Sequence, residues 1–225
     1  MTLFRYETHL HTCEASACAI ISAAEQVRYY KEAGYDGIIV TDHFYNGNTC
    51  IPKELPWEDW VEGFYKGYEN AKAEGDKSGL SVFFGWEAKC RFAEFLIYGL
   101  DKTWLLNHPE MRTWTVEEQY KYIHEDGGFI VHAHPYRVRD YIKEVRLFPE
   151  YVDAVEAINV GNCSDEFDRQ AAAYAKKHKL PMTAGTDAHG IEKLHSGLAF
   201  QHKLEDISDF IASIKSGKYE LIKPR

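Results

Sequence analysis

The sequence has no apolar run long enough to cross a bilayer, no Pro- or Gly-rich linker, no low-complexity tract and no internal repeat. Its first residues, Met1-Thr2-Leu3-Phe4-Arg5-Tyr6, lack the basic and apolar regions of a secretory leader. These absences lead us to expect one cytoplasmic domain over residues 1–225. Cysteine is scarce. There are five, an odd number without paired spacing, and Cys13 and Cys18 are the closest two. Without a leader, reduced thiols are expected in place of a disulfide framework. Positive charge is also short, with 26 Lys and Arg against 35 Asp and Glu, for a net charge of −9. The molecule as a whole is repelled by nucleic acid and by anionic membranes, so neither is an expected partner. Bound metal ions would still make one pocket locally positive.

What is present is an ordinary globular composition, 45% hydrophobic and 27% charged. It is arranged as strand and helix in turn. Leu3 to Glu7 reads as a strand and Ser22 to Ala33 as a helix ended by Gly34. Gly37 to Thr41 is the continuous apolar run of a strand buried on both faces. Trp57 to Glu74 reads as one long helix. Leu80 to Trp86 and Phe95 to Tyr98 read as strands, Val116 to Glu125 as a helix, and Phe129 to Val131 as a strand. Ala154 to Asn159, Met182 to Thr186 and the helix Asp165 to His178 follow, with a last helix from Leu204 to Lys215. Such alternation predicts an α/β fold with parallel strands, and seven or so units approach a closed barrel.

The polar residues fall at one end of these strands. In Thr8-His9-Leu10-His11 the period of two aims His9 and His11 to one side. Two imidazoles so placed form half of a metal site. Alone the pair is weak, since two histidines bonded to backbone would look the same. Asp42-His43, Glu87, His134 and Asp187-Ala188-His189 stand at the ends of other predicted strands. A closed parallel barrel gathers those ends on one face, whereas an open sheet would spread them along an edge. Singly, Asp42 or Asp187 could cap a following helix, and of His132 and His134 only one need face the site.

Together, His9-Leu10-His11-Thr12, Thr41-Asp42-His43, Glu87, Ala133-His134-Pro135 and Gly185-Thr186-Asp187-Ala188-His189 resemble the PHP (polymerase and histidinol phosphatase) family, in motif order and over nearly the whole chain. The resemblance implies a distorted (β/α)7 TIM-like barrel with two or three divalent ions at the C-terminal ends of its strands. It places His9, His11, Glu87 and Asp187 around one ion, with Glu87 bridging to a second that His134 also holds. Where the family has a histidine after the bridging glutamate, this chain has Glu94. His43 and His189 would hold a third ion. Its remaining ligand lies in the loop Cys13 to Cys18, where Glu14 is the first candidate and Cys18 the second. Asp42 would orient a ligating histidine. The Cys13 and Cys18 pair is otherwise read as packing.

The activity implied is a metal-dependent phosphoesterase, of the histidinol phosphatase kind, hydrolysing a small phosphomonoester. Divalent ions neutralise phosphate oxygens and lower the pKa of a water. Mixed His, Asp and Glu ligation suits zinc, manganese or iron alike. Arg137 has the planar fork for a phosphate oxygen, or forms a surface salt bridge. Arg139 and His195 are further candidates for the rim. No Asp-x-Asp pair offers an aspartyl nucleophile, so a single displacement at phosphorus is expected. The loops Tyr45 to Leu55 and Asp101 to Thr115, rich in Trp, Tyr and Asn, are expected to clasp the leaving group. Two alternatives stand beside this reading: an amidohydrolase-type C–N hydrolase, which also begins with His-x-His, and a non-catalytic metal-binding regulatory module.

Overall fold

The computed structural model describes residues 3–139, 142, 144–162 and 164–224. Among the described residues, nine strands form one sheet. They are β1 (Phe4–Leu10), β2 (Gly37–Val40), β3 (Ser81–Cys90), β4 (Ala93–Tyr98), β5 (Phe129–Ala133), β6 (Ala154–Asn159), β7 (Met182–Gly185), β8 (Gly197–Phe200) and β9 (Tyr219–Ile222). The helices are α1 (Ala23–Glu32), α2 (Trp57–Phe64), α3 (Lys66–Ser78), α4 (Lys102–Asn107), α5 (Val116–Glu125), α6 (Asp165–His178) and α7 (Ile207–Lys215). Spatial order is β7-β6-β5-β4-β3-β2-β1-β8-β9. The first seven strands curl until the segment after β7 reaches β1. There the His11 amide donates to the Ala188 carbonyl at 2.8 Å, and the Ala188 amide to that of His9 at 3.2 Å. The expected barrel-like α/β fold is borne out.

Parallel pairing links β1 to β2, β2 to β3, β5 to β6 and β6 to β7. One strand departs from the expectation. Strand β4 runs antiparallel to both β3 and β5. The cause is local: Arg91 and Phe92, at φ 47° and 68°, form a two-residue turn with Cys90 paired to Ala93. Two successive positive φ angles match the twist of a tight hairpin. The reversal brings the start of β4 to the end where the parallel strands finish. Beyond the expected elements, β8 and β9 extend the sheet past β1 as antiparallel strands.

Strands β2 and β5 are buried along their whole length, because helices cover the outer face and side chains fill the inner one. Helix α1 begins with a reciprocal capping box of Ser22 and Glu25. The expected helix from Trp57 divides at Tyr65 into α2 and α3. Gly67, at the start of α3, lies directly on the Thr12 hydroxyl and the Asp42 carboxylate, where a Cβ would collide with both. Only glycine lets α3 cover that end of the barrel.

At the other side, His124 on α5 faces two acceptors, the Tyr120 carbonyl at 2.7 Å and Asp153 at 2.8 Å. Only the imidazolium donates to both, and its pKa is raised, first by the bond to Asp153. A raised folded pKa adds stability that is complete below the ordinary histidine value and disappears as pH rises through the raised one. His124→Gln should therefore lower Tm at pH 6 by a few degrees, since a half-exposed pair contributes up to about 1 kcal/mol. At pH 9 the two melting curves should coincide. An equal loss at both pH values would show that the contribution is packing.

Candidate metal centre

Each element delivers its polar end to one point. His9 and His11 leave the same face of β1, fully buried, with ring centroids 5.2 Å apart. His43 follows β2 and pairs in register with Glu87 of β3. His134 follows β5, and Asp187 and His189 follow β7. Gly185 permits the approach of β7, since a Cβ there would stand 2.6 Å from His9 Cβ and 2.7 Å from Glu156 Oε1. His134 and Asp187 hold φ of 26° and 59°. Such left-handed backbone in residues other than glycine costs about 1–3 kcal/mol each and collects at functional sites.

Two carboxylates organise the cluster. Glu87 Oε1 lies 3.0 Å from His134 Nε2 and 3.4 Å from His9 Nε2, and its Oε2 lies 2.6 Å from His43 Nδ1 and 3.8 Å from His11 Nε2. Asp187 Oδ1 lies 3.1 Å from His11 Nε2 and 3.4 Å from His9 Nε2, while its Oδ2 meets Arg137 at 2.6 Å. Three groups have ligand atoms mutually within 4.8 Å: His9, Glu87 and His134; His9, His11 and Asp187; and His11, His43 and His189. Among the described residues, His9 Nε2 and Glu87 Oε2 are buried without a hydrogen bond. Glu87 Oε2 is nevertheless 2.6 Å from His43 Nδ1. That contact is close but misaligned. Nitrogen and oxygen donors so converging fit divalent ions.

Burial works against every charge here, and the partners decide. Burial would raise the two carboxyls, yet both are held well below the ordinary range, Glu87 by His43, His9 and His134, and Asp187 by His9, Arg137 and His11. Burial would lower His9 and His43. Asp187, Glu156 and Glu87 raise His9 well above its usual value, and Glu87 and Cys18 do so for His43. His11 falls well below, through burial and the neighbouring His43 and His189. Burial opposes the Cys18 thiolate, but hydrogen bonds to His189 and His43 bring the thiol down to about 6.

Further buried groups fix these side chains, and the sequence reading passed over two of them. Glu156 on β6 accepts from His9 Nδ1 at 2.9 Å and from the His134 amide at 3.0 Å. Glu7 on β1 accepts from the amides of Thr8, His9 and Thr186, all at 2.9 Å, and so ties β1 to the turn that carries Asp187. Burial raises its pKa to about 7 against those bonds. The signal was there: a carboxylate inside an apolar strand needs partners. Asp42 works one step further out than expected. It accepts from Ser16 at 2.6 Å, and Ser16 in turn meets His11 Nδ1 at 3.2 Å.

Other expected residues lie elsewhere. Glu14 turns away from the histidines and accepts from the Ala23 amide at the start of α1 and from Asn70. Its place is a helix cap, a role for which an acceptor at that spacing serves equally well. His195 packs at steep ring angles among Tyr29, Tyr30 and Tyr35 and lines a separate cavity with Arg5. Arg139 donates to the Gly161 carbonyl at 2.7 Å and does not line the cleft at the cluster. Arg137 is no surface residue. It is 9% exposed and spends Nε on Asn162 and the two terminal nitrogens on Asp187 and Asn159. Glu94 reaches 3.8 Å from His134 by virtue of the reversed β4. The cleft, about 570 Å3, is lined by Cys18, His43, Glu87, Lys89, Glu94, His134, Arg137, Asp187 and His189 together with Asn46, Gly47 and Asn48. The segment from Asp101 to Thr115 does not line it, because Trp104, Leu105 and Met111 pack into the core.

In sequence, the family described as PHP-associated matches residues 165–219. No curated protein matches the chain. Among solved structures it is similar to a two-domain protein from Bacteroides vulgatus containing a predicted PHP-like metal-dependent phosphoesterase. The TM-score is 0.73 and the identity 13%, over 98% of this chain and 64% of that one. The chain thus spans less than two thirds of that protein. Over residues 165–219 the chain is thus similar to the PHP-associated family, and its fold is like that of this PHP-like structure. A second similar structure, described as a metal-dependent phosphoesterase from Bifidobacterium adolescentis, has a TM-score of 0.57 at 15% identity, over 94% of this chain and 95% of that one. A third, an amidohydrolase from Chromobacterium violaceum with bound sulfate, has 0.58 at 15%, over 83% and 88%. The PHP-associated segment of this chain runs from α6 to the start of β9 and carries Asp187 and His189.

Since Glu87 faces donors on both sides, Glu87→Ala should lower bound metal by more than one ion per chain in elemental analysis. Glu156→Gln keeps the shape but weakens the hold on His9, and should cost about 10–100-fold in metal affinity. Unchanged metal content in Glu87→Ala would dismantle the cluster.

Proposed function

We propose that this protein is a metal-dependent hydrolase of small phosphomonoesters, with two or three divalent ions held by His9, His11, His43, Glu87, Glu94, His134, Asp187 and His189. One observation carries the reading: buried, under-satisfied oxygen and nitrogen donors converge at the floor of an open cleft that also holds Lys89 and Arg137. When bound, such ions neutralise phosphate oxygens and lower the pKa of a water so that it attacks at neutral pH. The chain's own residues do the rest. Arg137 pins Asp187 at 2.6 Å and keeps its second oxygen from turning away. Glu156 fixes the ring of His9 so that Nε2 faces the cleft floor. Lys89 brings positive charge to the rim of an otherwise acidic molecule, which favours a small phosphorylated anion over neutral esters. Asn46 and Asn48 supply amides for a polar leaving group.

A covalent route through cysteine has one candidate. Cys163 and Arg169 have the Cys-x5-Arg spacing, but Asp165, Glu166 and Asp168 lie between them. Residues 165–178 are helical, and Arg169 pairs outward with Glu166 at 2.6 Å. A phosphate would meet negative charge there. A C–N hydrolase is the second reading, favoured by the likeness to the amidohydrolase of Chromobacterium violaceum.

The test is a panel of phosphomonoesters and amides assayed before and after chelation. Phosphate release should vanish with a chelator, return with manganese or zinc, and leave no phosphorylated enzyme. His9→Ala and Asp187→Ala should both abolish it. Amide cleavage without phosphate release would select the second reading. Activity undiminished by exhaustive chelation would defeat both. Arg137→Ala should keep its metal and lose kcat or raise KM by about tenfold or more, as expected for one charge-assisted contact. Wild-type kinetics on every substrate would leave Arg137 without a part in the reaction.

A further inference from the structure

The loop between β1 and α1 carries Cys18, the second candidate for the third ion's remaining ligand, and it is this residue, not Glu14, that faces the histidines. Cys18 Sγ lies 3.2 Å from His43 Nε2 and also hydrogen-bonds His189. Both rings stack on His11, at centroid distances of 4.2 and 4.3 Å, and His11, His43 and His189 are one of the three convergent ligand groups. The sulfur faces the cleft.

Its position is built rather than incidental. The Ala17 amide donates to the Asn48 carbonyl at 2.8 Å, and the Ile20 amide to that of His189 at 2.8 Å. Ser16, two residues before Cys18, donates to Asp42 at 2.6 Å and accepts from the His43 amide at 3.0 Å. The loop is thus fastened on both sides of Cys18 to the segments that carry His43 and His189. The other described cysteines have plain partners: Cys13 meets the Glu14 carboxylate, Cys50 the Glu14 carbonyl and Cys90 that of Trp114. With zinc–sulfur and zinc–nitrogen bonds near 2.3 and 2.0–2.1 Å, tetrahedral ligands stand about 3.6 Å apart. The observed 3.2 Å contact opens to that by a few tenths of an ångström.

The geometry points to Cys18 as a thiolate ligand, completing a Cys-His-His site with His43 and His189 that favours a thiophilic ion such as zinc over manganese or magnesium. The inference rests on the metal-centre reading and adds the identity of one ligand and the selectivity it confers. Thiolate is a soft donor and selects against ions that prefer carboxylate and water.

The experiment uses the full chain, stripped and reloaded with cobalt(II), and reads the absorption spectrum. Wild type should show a near-ultraviolet thiolate-to-cobalt charge-transfer band. The band should be lost in Cys18→Ser and in Cys18→Asp and kept in Cys90→Ser. Cys18→Asp restores a ligand, so it should still bind as many cobalt ions as wild type while its zinc-over-manganese preference falls by about tenfold or more. A band that survives in both Cys18 variants, or cobalt binding in wild type with no such band, overturns the thiolate ligand and leaves the rest of the metal centre standing. No cobalt binding at all overturns both.

Discussion

Two carboxylates, Glu87 and Asp187, are buried to within a few per cent of full enclosure and kept ionised. Much else near them answers that constraint. A charge removed from water is costly unless its partners are close and well aimed. Here the partners are five imidazoles and one guanidinium, drawn from the ends of β1, β2, β5 and β7. Several contacts are nonetheless near 3.4–3.8 Å, and some donor atoms make no hydrogen bond. Positive charge at the common point resolves that shortfall, and divalent ions supply it in the most compact form.

The sheet serves the same end. Curling it brings Ala188 beside Leu10 and so sets Asp187 next to the His-x-His pair. The tight turn at Arg91 and Phe92 reverses β4 and returns Glu94 to the cluster. Glycine at 67 and 185 allows α3 and β7 to press against Asp42 and His9. Behind the cluster, Glu7, Glu156 and the Asp42–Ser16 pair hold backbone amides and ring nitrogens, so that the facing atoms keep their aim.

How much of this the sequence disclosed depended on the kind of signal. His9 and His11 were legible because a strand's period of two is rigid. The strand ends before His134 and Asp187 were legible because apolar runs stop there, whereas Glu87 lies inside β3, which runs on to Cys90. Helices α5 and α6 appeared with the observed bounds, Val116–Glu125 and Asp165–His178. The hairpin, β8 and β9 were not visible, since pairing direction and edge strands leave little mark on composition. Glu14 and Cys18 shared one loop, and nothing in spacing says which way a loop side chain turns. Glu14 went to the helix end and Cys18 to the histidines. His195 and Arg139 failed as rim residues for the same reason: proximity in sequence to the last motifs did not fix where their loops run. Arg137 was read as either a phosphate ligand or a surface ion pair; it is buried, pairs with Asp187 and lines the cleft.

The central claim is that the facing atoms of Glu87, Asp187 and the histidines enclose ions. Anomalous diffraction from crystals grown with zinc or manganese tests it most directly. The account predicts peaks between Glu87 and Asp187, one bounded by His9, His11 and Asp187 and another by His134 and Glu87. Density without an anomalous peak at either point, with imidazole and carboxylate in direct hydrogen bonds, would contradict it.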